Sequence, residues 1–275
     1  MNSFRSRIAA CIRMAVVCLT LLILIGCNAM RVSDNRSLVT PDTESEPFSG
    51  WRTVARGIER RDMGLPVASQ TAQGKAVLVR LDPTVVTFRV HYNPGVPHWL
   101  AEWHDQLPQA AVIVNGGFFD ETDQALGLLV SDGALSGQSF VGFGGMFQVA
   151  GRGVRVRSLV SEPYQGEPLL QAVQAFPMLI DPARMPVLEG DEFDQRARRS
   201  WVGQDRAGRI IFGVTHNWIS LAELQRWLLS SDLDLQVAFA LDGGRSAGLL
   251  VNVSDADETY PAVDRLPAVI AVYSP

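Results

Sequence analysis

The sequence predicts an α+β fold with a mixed, strand-rich sheet core and a few interspersed helices. Short apolar runs, several alternating with period two, recur between Lys75 and Tyr273 and outnumber the helical stretches. Helices fall among the strands without strict alternation, which fits a mixed sheet better than a doubly wound parallel one. The chain has 275 residues, 47% apolar and 19% charged, enough for the core of one domain or two small ones. That composition excludes a disordered chain, and neither a collagen period nor sustained heptads appear.

In chain order, Lys75–Leu81 and Thr84–His91 read as paired strands around Asp82-Pro83, with Val86, Phe88 and Val90 alternating in the second. Pro97–Leu107 reads as a helix opened by proline, with Trp99, Leu100, Trp103 and Leu107 at helical spacing. Ala110–Val114 is a short buried strand ending at Asn115. Further strands are expected at Gly145–Val149, Val154–Leu159, Met178–Ile180 and Arg209–Val214. Ser220 and Glu223 form a capping box that opens a helix with Leu221, Leu224, Trp227 and Leu228 on one face. Gln236–Leu241 and Leu266–Tyr273 close the fold as strands, and no repeat of 20 to 50 residues is present.

The first thirty residues differ from the rest. Arg5, Arg7 and Arg13 precede the uncharged apolar run Met14–Ile25, the pattern of a signal peptide, and this run is short against the roughly 20 residues of a spanning helix. It ends in Leu24-Ile25-Gly26-Cys27, which resembles the lipobox of bacterial lipoproteins. That resemblance implies a leader over 1–26, lipidation of Cys27 and a place in the bacterial cell envelope. Asn28, which is not the aspartate of inner-membrane retention, points to the outer membrane facing the periplasm. The other reading is an ordinary signal peptide cut near Ala29. Residues 27–50 are rich in Ser, Thr, Asp, Glu and Pro and read as a tether with a reach on the order of 25 Å, so the folded domain is expected over 51–275.

All three cysteines, Cys11, Cys18 and Cys27, lie in the leader region, which removes disulfides, thiolate zinc sites and a cysteine nucleophile from the domain. The formal charge of −5 becomes −8 without residues 1–26, and the single lysine and scattered arginines form no basic stripe, so nucleic acid is not an expected partner. No HExxH or EF-hand spacing occurs, and no metal or other cofactor is expected.

Two strand ends share one design. AVIV-Asn115-Gly116-Gly117-Phe118 and AFAL-Asp242-Gly243-Gly244 each stop an apolar strand at a carboxamide or carboxylate followed by two residues without Cβ. Glycines there permit positive φ, close approach of a ligand and an anion-binding nest, although each pair read locally is equally a hairpin turn. Arg245-Ser246 adds a guanidinium and a hydroxyl beside Asp242, and Phe118-Phe119 is a poor exit from an exposed turn. A third segment, Arg196-Ala-Arg198-Arg199-Ser200-Trp-Val-Gly203, offers arginine forks suited to phosphate or, read alone, a solvated basic cluster.

Together the NGGFF, R-S-x-V-G and LDGG-x-S motifs, with Phe176-Pro177 between the first two, resemble the phosphodiester glycosidase family over roughly Lys75 to Tyr273. The resemblance implies hydrolysis of a sugar 1-phosphodiester, of the N-acetylglucosamine type, to free sugar and phosphomonoester. By motif position it implies catalytic Asp242, Arg199 and Asn115, with Gly116, Gly117, Phe118, Ser200, Gly243, Gly244 and Ser246 around the substrate. Arg245 stands where the family usually has a third glycine, and would narrow the pocket or add a phosphate contact.

Asp242 is expected as base or nucleophile at the anomeric carbon and Arg199 as the phosphate ligand. A second carboxylate of the usual glycosidase pair could be Asp120, Asp123, Asp181 or Glu223, and His216 is a further acid-base candidate. The expected partners are a glycan or sugar-phosphodiester substrate and a membrane held through the lipid anchor. The alternative is a non-catalytic glycan-binding envelope lipoprotein with the same fold.

Overall fold

The computed structural model describes residues 50–66, 74–151, 153–253 and 258–275. The expected leader, Cys27 and all but the last residue of the tether lie outside the described residues. The chain runs through β1 (Arg52–Ala55), β2 (Ile58–Leu65), β3 (Gly74–Leu81), β4 (Thr87–Tyr92), α1 (Leu100–Gln106) and β5 (Val112–Asn115). β6 (Leu129–Ser131), β7 (Ala134–Ser136), β8 (Gly145–Ala150), β9 (Gly153–Ser158) and β10 (Gln171–Ala175) follow. Next come β11 (Met178–Ile180), the short α2 (Asp191–Asp194), β12 (Ser200–Asp205), β13 (Ile210–Thr215), α3 (Leu221–Ser230) and β14 (Leu235–Ala240). β15 (Leu249–Val251), β16 (Glu258–Tyr260) and β17 (Ala268–Tyr273) end the chain.

These strands form three sheets: β1-β2-β3-β13-β12-β14-β11, β7-β6-β10-β8-β9 and β16-β15-β5-β17-β4. One central core lies among them. Period-two geometry sends alternate residues to opposite faces, so Val77, Val79 and Leu81 of β3 face the central core while Ala76 and Leu78 face the apolar side of α3. In the same way β5 turns Val112 and Val114 inward and Ile113 outward to Leu100 and Trp103 of α1. The remaining sheet turns Phe147 and Val173 inward, and Met146 and Ala172 outward to Leu159 and Leu169 of the segment after β9. Covering both faces is why so many strands read as continuous apolar runs.

Several expectations are corrected. Among the described residues every strand pairing is antiparallel, so the sheets are not mixed in direction, and the fold is mostly β. The two strands flanking Asp82-Pro83 do not pair. β3 lies between β2 and β13, and β4 pairs with β17 in another sheet, because the turn in which Val85 and Val86 donate to the Asp82 carbonyl carries the chain between sheets. Pro97 precedes α1 by three positions, and the helix starts after Trp99, whose N–H donates to Glu102 Oε2 at 2.9 Å. α3 begins as expected, with the Ser220 hydroxyl accepting from Glu223 N at 3.1 Å and Glu223 Oε2 accepting from Ser220 N at 3.0 Å.

β2 is the least legible strand, since Glu59, Arg60, Arg61 and Asp62 fill its middle. It is held in the sheet by cross-strand pairs, Arg80 Nε to Glu59 at 2.7 Å and Lys75 Nζ to Asp62 at 2.8 Å, with Trp51 stacked under Arg80.

Trp201 is fully buried against Gly213 of β13, where a Cβ would stand 2.5 Å from ring atom Cζ2. Gly213→Ala is expected to destabilise the protein by about 2 kcal/mol through overpacking. Gly95→Ala, at a position with open space, should change stability by less than about 0.5 kcal/mol. Urea unfolding of both variants checks the contrast, and equal effects would contradict the packing described.

Candidate active site at the junction of the three sheets

The site forms where β5 and β14 end and β12 begins. Asn115 is fully buried, and its side chain is used up by the backbone: Nδ2 donates to the Asp242 carbonyl at 2.7 Å and to the Gly116 carbonyl at 3.1 Å, while Oδ1 accepts from Gly248 N at 3.1 Å. Ser200, also buried, donates its hydroxyl to the same Asp242 carbonyl at 2.6 Å. The Asp242 N–H donates to the Gly116 carbonyl at 3.3 Å. Both backbone polar groups of Asp242 are therefore clamped by the first two motifs. This geometry gives Asn115 and Ser200 a positioning role beneath the site.

The glycines divide by function. Gly116 and Gly117 are required by close packing: their Cβ atoms would lie 3.1 Å from the Ala268 carbonyl oxygen and 2.5 Å from the Gln174 carbonyl oxygen. The NGG turn thus presses on β17 in its own sheet, on Gln174 of β10 in a second and on Asp242 beyond β14 of the third. Gly244 differs in having φ +59°, the left-handed region that favours glycine, and its N–H donates to the Arg198 carbonyl at 2.8 Å.

The Asp242 carboxyl accepts from the Gly243 N–H and the Ser246 hydroxyl, yet its pKa is raised from the model-peptide value of 3.8 to about 6. Burial is the main cause, and the charge of Asp264 adds to it. Asp264 is the carboxylate that the fold brings to Asp242, and it went unmarked in the sequence because it sits in no motif. Arg245 pairs with it, Nε to Oδ1 at 2.7 Å, and is itself 69% exposed. The residue standing in place of a third glycine therefore turns outward and neutralises a neighbour.

The arginine run separates in three directions. Arg196 pairs with Glu223, Arg198 donates to the Pro261 carbonyl at 2.7 Å, and Arg199 reaches inward. The Arg199 guanidinium is held by backbone carbonyls, Nε to Ile219 O at 3.0 Å and Nη2 to Gln195 O, with no carboxylate partner among the described residues. A Cβ on Gly243 would lie 3.5 Å from Arg199 Nη1, which sets the third guanidinium nitrogen against the DGG turn. Burial lowers the Arg199 pKa from its usual value. Thr215, at the end of β13, fixes the Arg199 backbone through bonds of 2.8 Å in each direction.

The other candidates stand elsewhere. The Asp120 carboxylate caps its own turn, accepting from Thr122 N and Oγ1 and from Gln124 N, and those bonds lower its pKa. Asp123 occupies left-handed backbone in that turn at φ 63°. Buried Asp181 accepts from the Ser158 hydroxyl and Ala183 N, and Glu223 serves its helix cap and Arg196. His216 rests edge-on to Tyr260 at 4.3 Å, its pKa lowered by burial and by the charges of Lys75 and Arg198. Among the described residues no group of three or more His, Asp or Glu side chains is placed to hold a metal ion.

Phe118 leads from the NGG turn to an aromatic group, its ring tilted against Phe176 at 4.6 Å, with Phe140 and Phe143 stacked 4.8 Å apart beside it. Phe118, Phe143 and Phe176 border a cavity of about 680 Å³ that reaches Arg199.

The three-sheet β fold therefore sets a buried carboxyl of raised pKa on the same turn against which Arg199 packs, a guanidinium with no carboxylate partner among the described residues. The model of the phosphodiester glycosidase family matches residues 108–273, and the chain belongs to that family. Its fold is similar to the zebrafish N-acetylglucosamine-1-phosphodiester α-N-acetylglucosaminidase catalytic domain, described as auto-inhibited by its pro-peptide, with a TM-score of 0.61 and 20% identity over 82% of this chain and 86% of that one. A hypothetical protein from Synechocystis gives a TM-score of 0.61 and 18% identity over 84% of this chain and 64% of that one. No curated protein matches the sequence.

The Asp242 pKa has a consequence for stability. A carboxyl whose folded-state pKa exceeds its unfolded value stabilises the fold when protonated; that contribution is complete below about pH 4 and is lost as pH rises through about 6. Asp242→Asn should therefore be more stable than the native chain at pH 8, by about 3 kcal/mol, with most of the advantage gone at pH 4. Urea unfolding at the two pH values measures it, and an equal difference at both would contradict the assignment.

Proposed function

We propose that the protein hydrolyses a sugar 1-phosphodiester, of the N-acetylglucosamine type, at the bond between the anomeric carbon and the phosphate oxygen. The observation that carries this reading is Arg199, a half-buried guanidinium beside the Asp242 turn, held by two carbonyls and without a carboxylate partner among the described residues. Burying an unpaired cation is costly unless a ligand supplies the anion. A phosphodiester carries one charge and fits the planar fork.

In this account Arg199 takes the phosphate and Asp242 faces the anomeric carbon as nucleophile or as base toward water. The C–O bond breaks and its electron pair leaves on the phosphate oxygen. Water supplies the new anomeric hydroxyl, and its remaining proton goes to the phosphate or to solvent. A phosphomonoester is a much weaker base than a sugar alkoxide, so a cation can replace the general acid that ordinary glycosides require. This fits a site in which Asp264 is engaged by Arg245 and the other candidate carboxylates are committed to turns and caps. The setting we propose is the bacterial cell envelope, with the domain tethered through a lipidated Cys27 and acting on exported glycans.

The test is release of free sugar from an N-acetylglucosamine-α-1-phosphodiester by the purified chain. kcat/KM should rise with pH through a limb near 6, as Asp242 ionises. Asp242→Asn should lower it by at least about 10³-fold and Arg199→Lys by about 10²-fold, since lysine cannot reproduce the fork. Binding of the sugar phosphate with no release, or full release by Asp242→Asn, would point to the non-catalytic glycan-binding reading or to another carboxylate.

A further inference from the structure

Arg199 has two neighbourhoods. One is the Asp242-Gly243-Gly244 turn; the other is the cavity of about 680 Å³, whose walls include Phe118, Phe143, Phe176, Met178, Val187 and Leu188. That volume lies within the usual range for small-molecule sites. Its edge exposes large apolar side chains: Phe176 is 38% exposed, Phe143 47% and Val187 69%. Asp181, one of the two acids lining the cavity, is buried and its oxygens are committed to Ser158 and Ala183, so it offers no free acceptor to a sugar hydroxyl. Arg184 and Glu192 also border the cavity.

A sugar carries a hydroxyl on most of its carbons, and each one left without a partner in an apolar wall costs free energy. The cavity therefore suits the other side of the phosphate. We infer that this enzyme's substrates carry a lipid-type aglycone, an aliphatic chain esterified to the phosphate and seated among Phe118, Phe143, Phe176 and Val187, with Arg199 at the junction between chain and sugar. The inference rests on the reading of Arg199 as the phosphate ligand. It adds to that reading the direction in which the substrate lies, sugar toward Asp242 and chain toward β11 and α2.

Burial of methylenes in such a cavity strengthens binding by about fourfold each, at about 0.8 kcal/mol per group. The test is calorimetric titration of the full chain with ethyl phosphate and with decyl phosphate, both below micelle-forming concentrations. Decyl phosphate should bind at least about a hundredfold more tightly. Val187→Asp and Phe176→Ser should each shrink that ratio at least tenfold, with unchanged thermal unfolding showing that they fold. Arg199→Gln should weaken decyl phosphate. Equal affinities for the two phosphates, or decyl affinity indifferent to Arg199, overturns the inference.

Because this readout needs no turnover, it separates from the activity test. Tight decyl binding without hydrolysis of any sugar phosphodiester leaves the cavity assignment standing and removes the glycosidase reading. Equal kcat/KM for methyl and decyl phosphodiesters of the same sugar does the reverse.

Discussion

The two hydrogen bonds that converge on the Asp242 carbonyl, from Asn115 Nδ2 and Ser200 Oγ, hold the site together. They join the ends of β5 and β14 and the start of β12, elements from two sheets and from chain segments 127 and 42 residues away from Asp242. Glycine at 116 and 117 lets the NGG turn approach close enough for those bonds to form, and the third sheet packs against it at Gln174. A buried carboxamide with all its hydrogens satisfied is a specific joint, since almost any replacement leaves a buried group unpaired.

That joint explains the electrostatics around it. Most cations in the described structure are paired: Arg60 and Lys75 with Asp62, Arg80 with Glu59, Arg157 with Glu167 and Arg209 with Asp205. Arg198 and Arg199 are different, since their partners are carbonyls that fix direction without cancelling charge, and of the two it is Arg199 that also packs against the Asp242-Gly243-Gly244 turn and borders the cavity. Asp242 is the complementary exception, a carboxylate that burial and Asp264 push toward neutrality. Burying these two groups with hydrogen bonds but no opposite charge costs stability, a cost commonly concentrated at functional sites.

Much of the fold and part of the site were legible in the sequence. Strands with continuous apolar runs, such as β5, β13, β14 and β17, and the capped helix α3 stand out because local periodicity and capping chemistry record them. β2 is hidden by its charges, which tertiary partners such as Arg80 and Lys75 help to neutralise, and β6, β7, β15 and β16 are too short to show a period. Strand pairing at Asp82-Pro83 is not legible in the sequence, because proximity in the chain says nothing about which sheet receives the second strand. Among the candidate site residues, the Asn-Gly-Gly and Asp-Gly-Gly pattern marks two turns that the fold brings into contact, while Asn115 is spent on backbone bonds and Arg245 turns outward to Asp264. Asp264 and Thr215 belong to the site only through tertiary contact, which no local motif reports.

The central claim is that Asp242 acts at carbon while Arg199 holds the phosphate. The most direct measurement is hydrolysis of an N-acetylglucosamine-α-1-phosphodiester in ¹⁸O-labelled water, with mass analysis of both products after a single turnover. The account predicts label in the sugar and none in the phosphomonoester. Label in the phosphate would show attack at phosphorus and would contradict it.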